Sequence, residues 1–204
     1  SMLKARDIFE KGEIGELMFV RGRYGHGGRL GYDKEWRADP NIAGGGELFD
    51  QGIHLIDLAR MFAGDFDKAV GFAESMFWDM KVEDNCFAIL RNKSGKIAFL
   101  CASWTQWKNL FSFEVFGKTG LLVIDGLGGS YGEENLTFYK MRPELGIPDK
   151  FVYKWEADNS WDLEFREFLS AIKEDREPVG NLDDAYKAMK LAFDIYKWSN
   201  KEVR

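Results

Sequence analysis

Within the stretch GGGELFDQGIHLIDLARMFAG, residues 44–64, Glu47, Asp50 and Asp57 lie close in sequence to His54, one of two histidines in the chain. On a helix, Asp50, His54 and Asp57 stand at i, i+4 and i+7 and share one stripe. Histidine titrates near neutral pH, and a carboxylate beside it suits transfer of a proton to or from a bound hydroxyl. The same spacing also describes a solvated helix face whose i,i+4 pair contributes roughly a few tenths of a kcal/mol. A metal site would need Cys or His partners at ligand spacing, and the sequence offers none.

The surroundings of this stripe favour a cleft. Three consecutive glycines, Gly44 to Gly46, are costly at a helix start and make sense where backbone passes close to another group. Residues 25–46 form a glycine-rich irregular segment that runs directly into the helix and carries His26, Arg29, Trp36 and Arg37. Loops of about 20 residues within a compact domain are uncommon and are often functional. Trp36 and Arg37 suit a sugar contact, an aromatic platform beside a charged donor, or simply a packed Trp beside a surface Arg. Tyr24 stands just before the loop. His26 reads as a surface loop residue with a weaker claim to substrate contact.

Other elements must hold this helix. Apolar spacing predicts a short helix over Leu3 to Lys11, ended by Gly12. A strand, GELMFVRGRYG, follows, with Leu17, Phe19 and Arg21 on one side and Met18, Val20 and Gly22 on the other. Strands KAVGFAESMFW, NCFAILRN, KIAFLCASWTQW, LFSFEVFG and LLVID come next, with hairpin turns at NKSG and FGKTG. Two weaker strands, NLTFYKM and KFVYKWE, lead to closing helices near Ser160–Asp175 and Leu182–Asn200. The second is capped by Asn181, with Asp183 and Asp184 in its first turn. Strands joined by short turns, with helices gathered on one face, predict an α+β fold: an open, mostly antiparallel or mixed β-sheet in one domain, residues 1–204.

Both faces of those strands ask for cover. Ile97, Phe99 and Cys101 alternate with Ala98, Leu100, Ala102 and Trp104; Phe87 and Ile89 alternate with Cys86, Ala88 and Leu90. Helices cover one face, so the other is expected to be an oligomer interface or to pack against a further domain.

Two glycine motifs fail on inspection. LLVIDGLGGSYG starts like a dinucleotide-binding loop, but the third glycine position is Tyr131 and a strand follows where a helix is required. FGKTG lacks the earlier glycine and the helix of a phosphate loop. Hydrophobic residues make up 45% of the chain and charged ones 30%, with a net charge of -6, which describes a soluble globular protein and argues against a nucleic-acid partner. No apolar run is long enough to span a bilayer, and no signal peptide is recognisable. Cys86 and Cys101 read as small buried thiols, in keeping with a reducing cytoplasm. Ser1-Met2 has the form of an expression remnant, which would make the chain an excised piece.

The motifs taken together resemble the C-terminal domain of the Gfo/Idh/MocA family of NAD(P)-dependent sugar oxidoreductases. That family's signature, Gly-Gly-Gly-x-Leu-x-Asp-x-Gly-x-His-x-x-Asp, is matched throughout Gly44 to Asp57. KGEIGELMFVRGRYG is similar to the family's helix-to-first-strand junction, EWRADPNIAGGG to its Trp-Arg loop and VFGKTGLLVID to its mid-sheet hairpin. NSWDLEFREFLSAIKEDREPVGNLDDAYKAMKLAFDIYKWSNKEV is similar to its closing helix pair.

The resemblance implies an open sheet like that of the glyceraldehyde-3-phosphate-dehydrogenase C-terminal domain, with the Rossmann domain and its catalytic lysine absent from this sequence. It implies a sugar, inositol or sugar-nucleotide hydroxyl as the reacting group. NAD or NADP would bind through the absent domain and not to this chain alone. His54 is then the catalytic proton carrier and Asp50 the carboxylate that holds a neighbouring hydroxyl. Trp36, Arg37, Gly45, Gly46 and Tyr24 are implied substrate contacts, and the outer sheet face a homo-oligomer contact. A non-catalytic sugar-binding or dimerisation module is the alternative.

Overall fold

The structure, a computed structural model, describes residues 1–201; Glu202 and Val203, the last residues of the closing-helix motif, and Arg204 lie outside the described residues. The chain runs α1 (Met2–Glu10), β1 (Leu17–Gly25), a loop with the short helix α2 (Pro40–Ala43), then α3 (Ile53–Ala63). Seven strands follow: β2 (Lys68–Glu74), β3 (Asn85–Arg91), β4 (Ile97–Ser103), β5 (Leu110–Gly117), β6 (Gly120–Asp125), β7 (Asn135–Lys140) and β8 (Asp149–Lys154). Helices α4 (Ser160–Lys173) and α5 (Leu182–Trp198) close it.

These strands make one open sheet in the order β2-β3-β4-β1-β5-β6-β7-β8. Only β1 and β4 pair in parallel. Two antiparallel hairpin ladders therefore flank a single parallel seam, and that seam carries β1 into the loop that feeds α3. The expected α+β architecture is the observed one.

One face of the sheet holds the core. Alternation in β3 and β4 sends Cys86, Ala88, Leu90, Ala98, Leu100 and Ala102 inward. They meet Leu55, Ile56, Ala59 and Phe62 of α3 and Leu191, Ala192 and Ile195 of α5. Each buried Leu, Ile or Phe among them contributes roughly 1.5–3 kcal/mol relative to exposure, and each Ala less. The other face leaves Phe72, Phe87, Ile89, Ile97 and Phe99 exposed. A shallow apolar hollow between Met18, Phe116, Leu121, Tyr139 and Met141 continues that face.

The sequence pattern needs one correction in β1. Its alternation breaks between Leu17 and Phe19, where the register against β5 shifts, so Leu17 and Val20 both point inward while Met18 and Phe19 are exposed. A bulge places two residues opposite one and re-aims the strand.

A second correction concerns the helix of residues 44–64. Regular α-helix begins only at Ile53; Leu48–Gly52 is a π-helical turn, and Gly44 to Gly46 precede it as a bend. Single π turns are frequent at functional sites because they break the i,i+4 alignment of side chains. Here the break falls on Asp50. At the other end of the chain, Asn181 caps α5 as expected, in a reciprocal capping box with Asp184. No helix among the described residues is long and apolar enough to cross a membrane.

Candidate active site

The π turn is seated by a buried acid. Glu83, in the loop after β2, accepts hydrogen bonds from Gly46 N at 3.1 Å, Leu48 N at 3.0 Å and the Tyr196 hydroxyl at 2.6 Å. It thus occupies the free N–H groups at the helix start, the role a capping side chain normally takes. Burial nevertheless outweighs these bonds and pushes the Glu83 carboxyl above its usual range.

The same seat explains the glycines. A Cβ on Gly46 would lie 2.0 Å from the Glu83 carbonyl oxygen, and one on Gly45 would lie 2.4 Å from the Tyr196 hydroxyl. Side-chain room at 45 and 46 is taken by Glu83 and Tyr196, so the close approach that the glycine run was expected to make is made to the protein's own interior.

Asp50 emerges from the π turn half-buried, and its partner comes from the loop. Arg37 Nε lies 3.4 Å from the Asp50 carboxylate, and its guanidinium stands 4.5 Å over the Trp36 ring. Trp36 and Arg37 open a single 3₁₀ turn, Trp36–Ala38, and Asp39 then caps α2 by accepting from Asn41 N. The irregular loop therefore delivers an aromatic platform and a guanidinium to the carboxylate that the sequence singled out.

His54 is exposed on the first turn of α3, one turn beyond Asp50. Its ring centroid is 6.4 Å from that of Tyr24, at the end of β1. No hydrogen bond joins Asp50 to His54 among the described residues, so the pair shares a rim and not a contact. Asp57, third member of the sequence stripe, instead pairs with Arg60, whose buried guanidinium also reaches Asp65 and Asp184. That residue ties α3 to α5 and leaves Asp57 outside the cleft.

Sequence reasoning assigned no role to two neighbours, Tyr131 and Glu47. Tyr131, dismissed with the failed glycine motif, meets Tyr24 edge to face at 5.0 Å and accepts from Gln51 Nε2 at 2.7 Å. Burial pushes the Tyr24 and Tyr131 phenols above their usual value, so both are neutral donors at pH 7. The 126–134 turn carries Tyr131 and feeds β7, with no helix to receive a pyrophosphate. Glu47 is fully buried with neither carboxyl oxygen hydrogen-bonded, close enough to Asp50 and Glu83 for burial and those like charges to push it well above its usual range. Only its place in the signature stretch flagged it.

What this arrangement can do is bind a polyol. Asp50 can accept from hydroxyls, Arg37 and the two phenols can donate, Trp36 offers a flat apolar face, and His54 presents an exposed imidazole on the rim. No group of three or more His, Cys, Asp or Glu side chains among the described residues could hold a metal ion.

Residues 2–123 match the profile of the GFO/IDH/MocA C-terminal domain. A levoglucosan dehydrogenase from Pseudarthrobacter phenanthrenivorans is 36% identical over a match covering 59% of this chain and 38% of that protein. Among solved structures, aldose-aldose oxidoreductase from Caulobacter crescentus complexed with glycerol has a TM-score of 0.80 at 24% identity, covering 98% of this chain and 58% of that one. A levoglucosan dehydrogenase in complex with NADH and L-sorbose has a TM-score of 0.81 at 19% identity, covering 96% and 60%. At such identities the structures share a fold, and this chain spans less than two thirds of each relative's length.

Proposed function

This chain belongs to the Gfo/Idh/MocA family through its C-terminal domain, and from that premise we propose that it is the substrate-binding half of an NAD(P)-dependent oxidoreductase acting on a hydroxyl carbon of a sugar, inositol or sugar nucleotide. The observation that carries the reading is the Arg37–Asp50 pair on its Trp36 platform, beside His54. A carboxylate and a forked donor over an aromatic face fit vicinal hydroxyls, and an imidazole one helical turn away can take the proton of the hydroxyl being oxidised.

The residues present do not fit the coenzyme itself. The glycine-rich turn after β6, at 126–132, runs into β7, so its backbone amides lack the helix start that a pyrophosphate needs. The nicotinamide that accepts hydrogen in such reactions would be held by another domain. Two uncovered stripes support this: Trp161, Phe165, Phe168 and Ile172 on α4, and Leu182, Tyr186, Met189 and Phe193 on α5, are exposed at i, i+4, i+7 and i+11. Phe193 meets Phe49 of the π turn at 5.5 Å, so the α5 stripe ends against the turn that carries Asp50. The exposed phenylalanines of the outer sheet face support a homo-oligomer. A chain of this kind, with two free cysteines, fits a reducing cytoplasm.

The test is turnover. With the full-length gene product, coenzyme reduction is measured against a panel of hexoses, anhydrosugars and inositols. His54→Ala lowers kcat/KM by about 10²-fold if it transfers the proton; unchanged turnover removes it from the mechanism. A gene product that binds these polyols yet reduces no coenzyme would favour the non-catalytic sugar-binding module.

A further inference from the structure

We propose that Trp107 and Phe77 form a second sugar platform, which takes a further pyranose ring of a disaccharide or longer glycoside whose reacting ring lies at Asp50 and Arg37. The proposal rests on the substrate-binding reading above and adds a site that neither the signature motif nor the comparisons mark.

Topology sets the place. β1 runs parallel to β4, and β2 also runs parallel to β4 because β3 lies antiparallel to both. The loops that leave β1, β2 and β4 therefore emerge at one edge of the sheet. β6, antiparallel to β5 and so parallel to β1, delivers the Tyr131 turn to the same edge. Tyr24 stands there near the end of β1, with its ring 6.4 Å from that of His54. The glycines just beyond it touch the aromatic outcrop directly. A Cβ on Gly27 would lie 3.2 Å from Trp107 Cα and 3.4 Å from its ring, and one on Gly28 would lie 2.6 Å from the Trp78 ring. Three residues reach at most about 11 Å, so Trp107 Cα lies within about 16 Å of Tyr24 Cα. That is within reach of a second ring joined to the one at Asp50.

The platform is built in advance. The Asp84 carboxylate accepts from Met76 N, Phe77 N and Trp78 N, each at 2.8 Å, which fixes the loop after β2. Trp78 Nε1 donates to Trp104 O at 3.1 Å, and Trp78 packs on the buried cluster of Tyr32, Val82 and Trp104. Phe77 stands nearly at right angles to Trp107, with ring centroids 4.8 Å apart. Trp107 has a φ of 58°, a left-handed backbone that is costly for a bulky residue and persists where its surroundings over-determine it. A strained, ordered backbone that leaves its indole in solvent holds that ring for something outside the chain. Size decides what. Trp107, Phe77 and Met76 are 62%, 60% and 61% exposed. Together they present under about 500 Å², against about 800 Å² per partner in a stable protein interface. The patch suits a ligand of one or two rings. The C–H face of a pyranose carries partial positive charge and stacks on the negative face of an aromatic ring, the complementarity that Trp36 offers the first ring.

The experiment uses the full-length gene product, with the single-ring hexoses, anhydrosugars and inositols set against maltose, cellobiose and lactose. Trp107→Gly removes the indole and suits the left-handed backbone at that position. It is expected to raise KM about 10-fold for the disaccharides that the wild type turns over, with kcat and the single-ring KM within about 2-fold of wild type. Trp107→Phe should recover most of the loss. Equal effects on single-ring and two-ring substrates, or none on either, would overturn the proposal. So would a wild-type enzyme that turns over single-ring substrates and no disaccharide; in these cases this inference falls alone. A Trp107→Gly protein that loses an assembly in sedimentation yet keeps its disaccharide KM would assign the pair to a protein interface instead. If no substrate of either set is turned over, the substrate-binding reading falls and takes this inference with it. Should Trp107→Gly fail to fold, the wild-type indole Nε1–H resonance, assigned with Trp107→Phe, decides. It should shift with disaccharide and not with monosaccharide, and a resonance unmoved by disaccharide overturns the proposal.

Discussion

Arg37 Nε stands 3.4 Å from the Asp50 carboxylate although the two residues come from a 3₁₀ turn and a π turn separated by a helix and three glycines. Each side chain keeps about a third of its surface in solvent, at 33% and 29%, so screening limits the pair to under about 1 kcal/mol of stability. The pair is therefore expected to matter for binding. Arg37→Met should leave the urea midpoint close to wild type while weakening polyol binding by about 10-fold or more. Arg37→Lys should recover only part of it, because an ammonium lacks the fork and stacks poorly on Trp36. A large stability loss with unchanged binding would refute this division.

Glu47 makes a prediction about pH. Burial, reinforced by Asp50 and Glu83, raises its folded-state pKa well above the unfolded value. A carboxyl raised in this way leaves stability intact below the unfolded pKa of about 4.3 and costs stability as pH rises through the folded pKa. Glu47→Gln removes the titration. The stability of Glu47→Gln relative to wild type should therefore increase from pH 5 towards pH 9, by about 1 kcal/mol or more. Chemical denaturation at several pH values measures this slope, and a pH-independent difference would show that Glu47 is ionised throughout in the folded state.

Gly46 is held by sterics and not by backbone angle, since its φ lies outside the left-handed region. Gly46→Ala must displace the Glu83 carbonyl and with it the seat of the π turn, and should cost about 2 kcal/mol or more in a denaturant titration. Tyr196→Phe, which only removes the 2.6 Å bond to Glu83, should cost about 1–3 kcal/mol by leaving a buried acceptor short of one donor. Wild-type stability for Gly46→Ala would mean that the 75–84 loop yields freely.

The outer sheet face should associate. Phe99 faces Ile89 across the β3–β4 ladder, and Cys101 lies two residues along the same face. Phe99→Asp is expected to convert a dimer or larger assembly to monomer in sedimentation, and to speed alkylation of Cys101. Cys86, buried with its thiol pushed up by desolvation, should stay unreactive in both forms. A wild-type chain that sediments as monomer at tens of micromolar would sink the interface.

Much of the fold was legible because alternation is a local signal. Cys86, Ala88 and Leu90 against Phe87 and Ile89 needed only the two-residue period of a strand, and Asn181 with Asp184 needed only the spacing of a cap. The bulge at Met18 and the π turn at Leu48–Gly52 were not legible in that way. Each departs from its period for the sake of a partner far along the chain, β5 in one case and Glu83 in the other.

The site divides along the same line. Sequence by itself determined that Asp50 and His54 share a short segment entered by a glycine run and a Trp-Arg loop, and which family that segment resembles, because those properties are carried by residue type and spacing. Tertiary structure alone decided that Arg37 pairs with Asp50, that Glu83 and Tyr196 fill the room beside Gly45 and Gly46, and that Tyr131 packs on Tyr24 and holds Gln51. Those outcomes depend on distances between segments up to 113 residues apart, and no periodicity along a chain encodes which distant side chain will occupy a given cubic ångström.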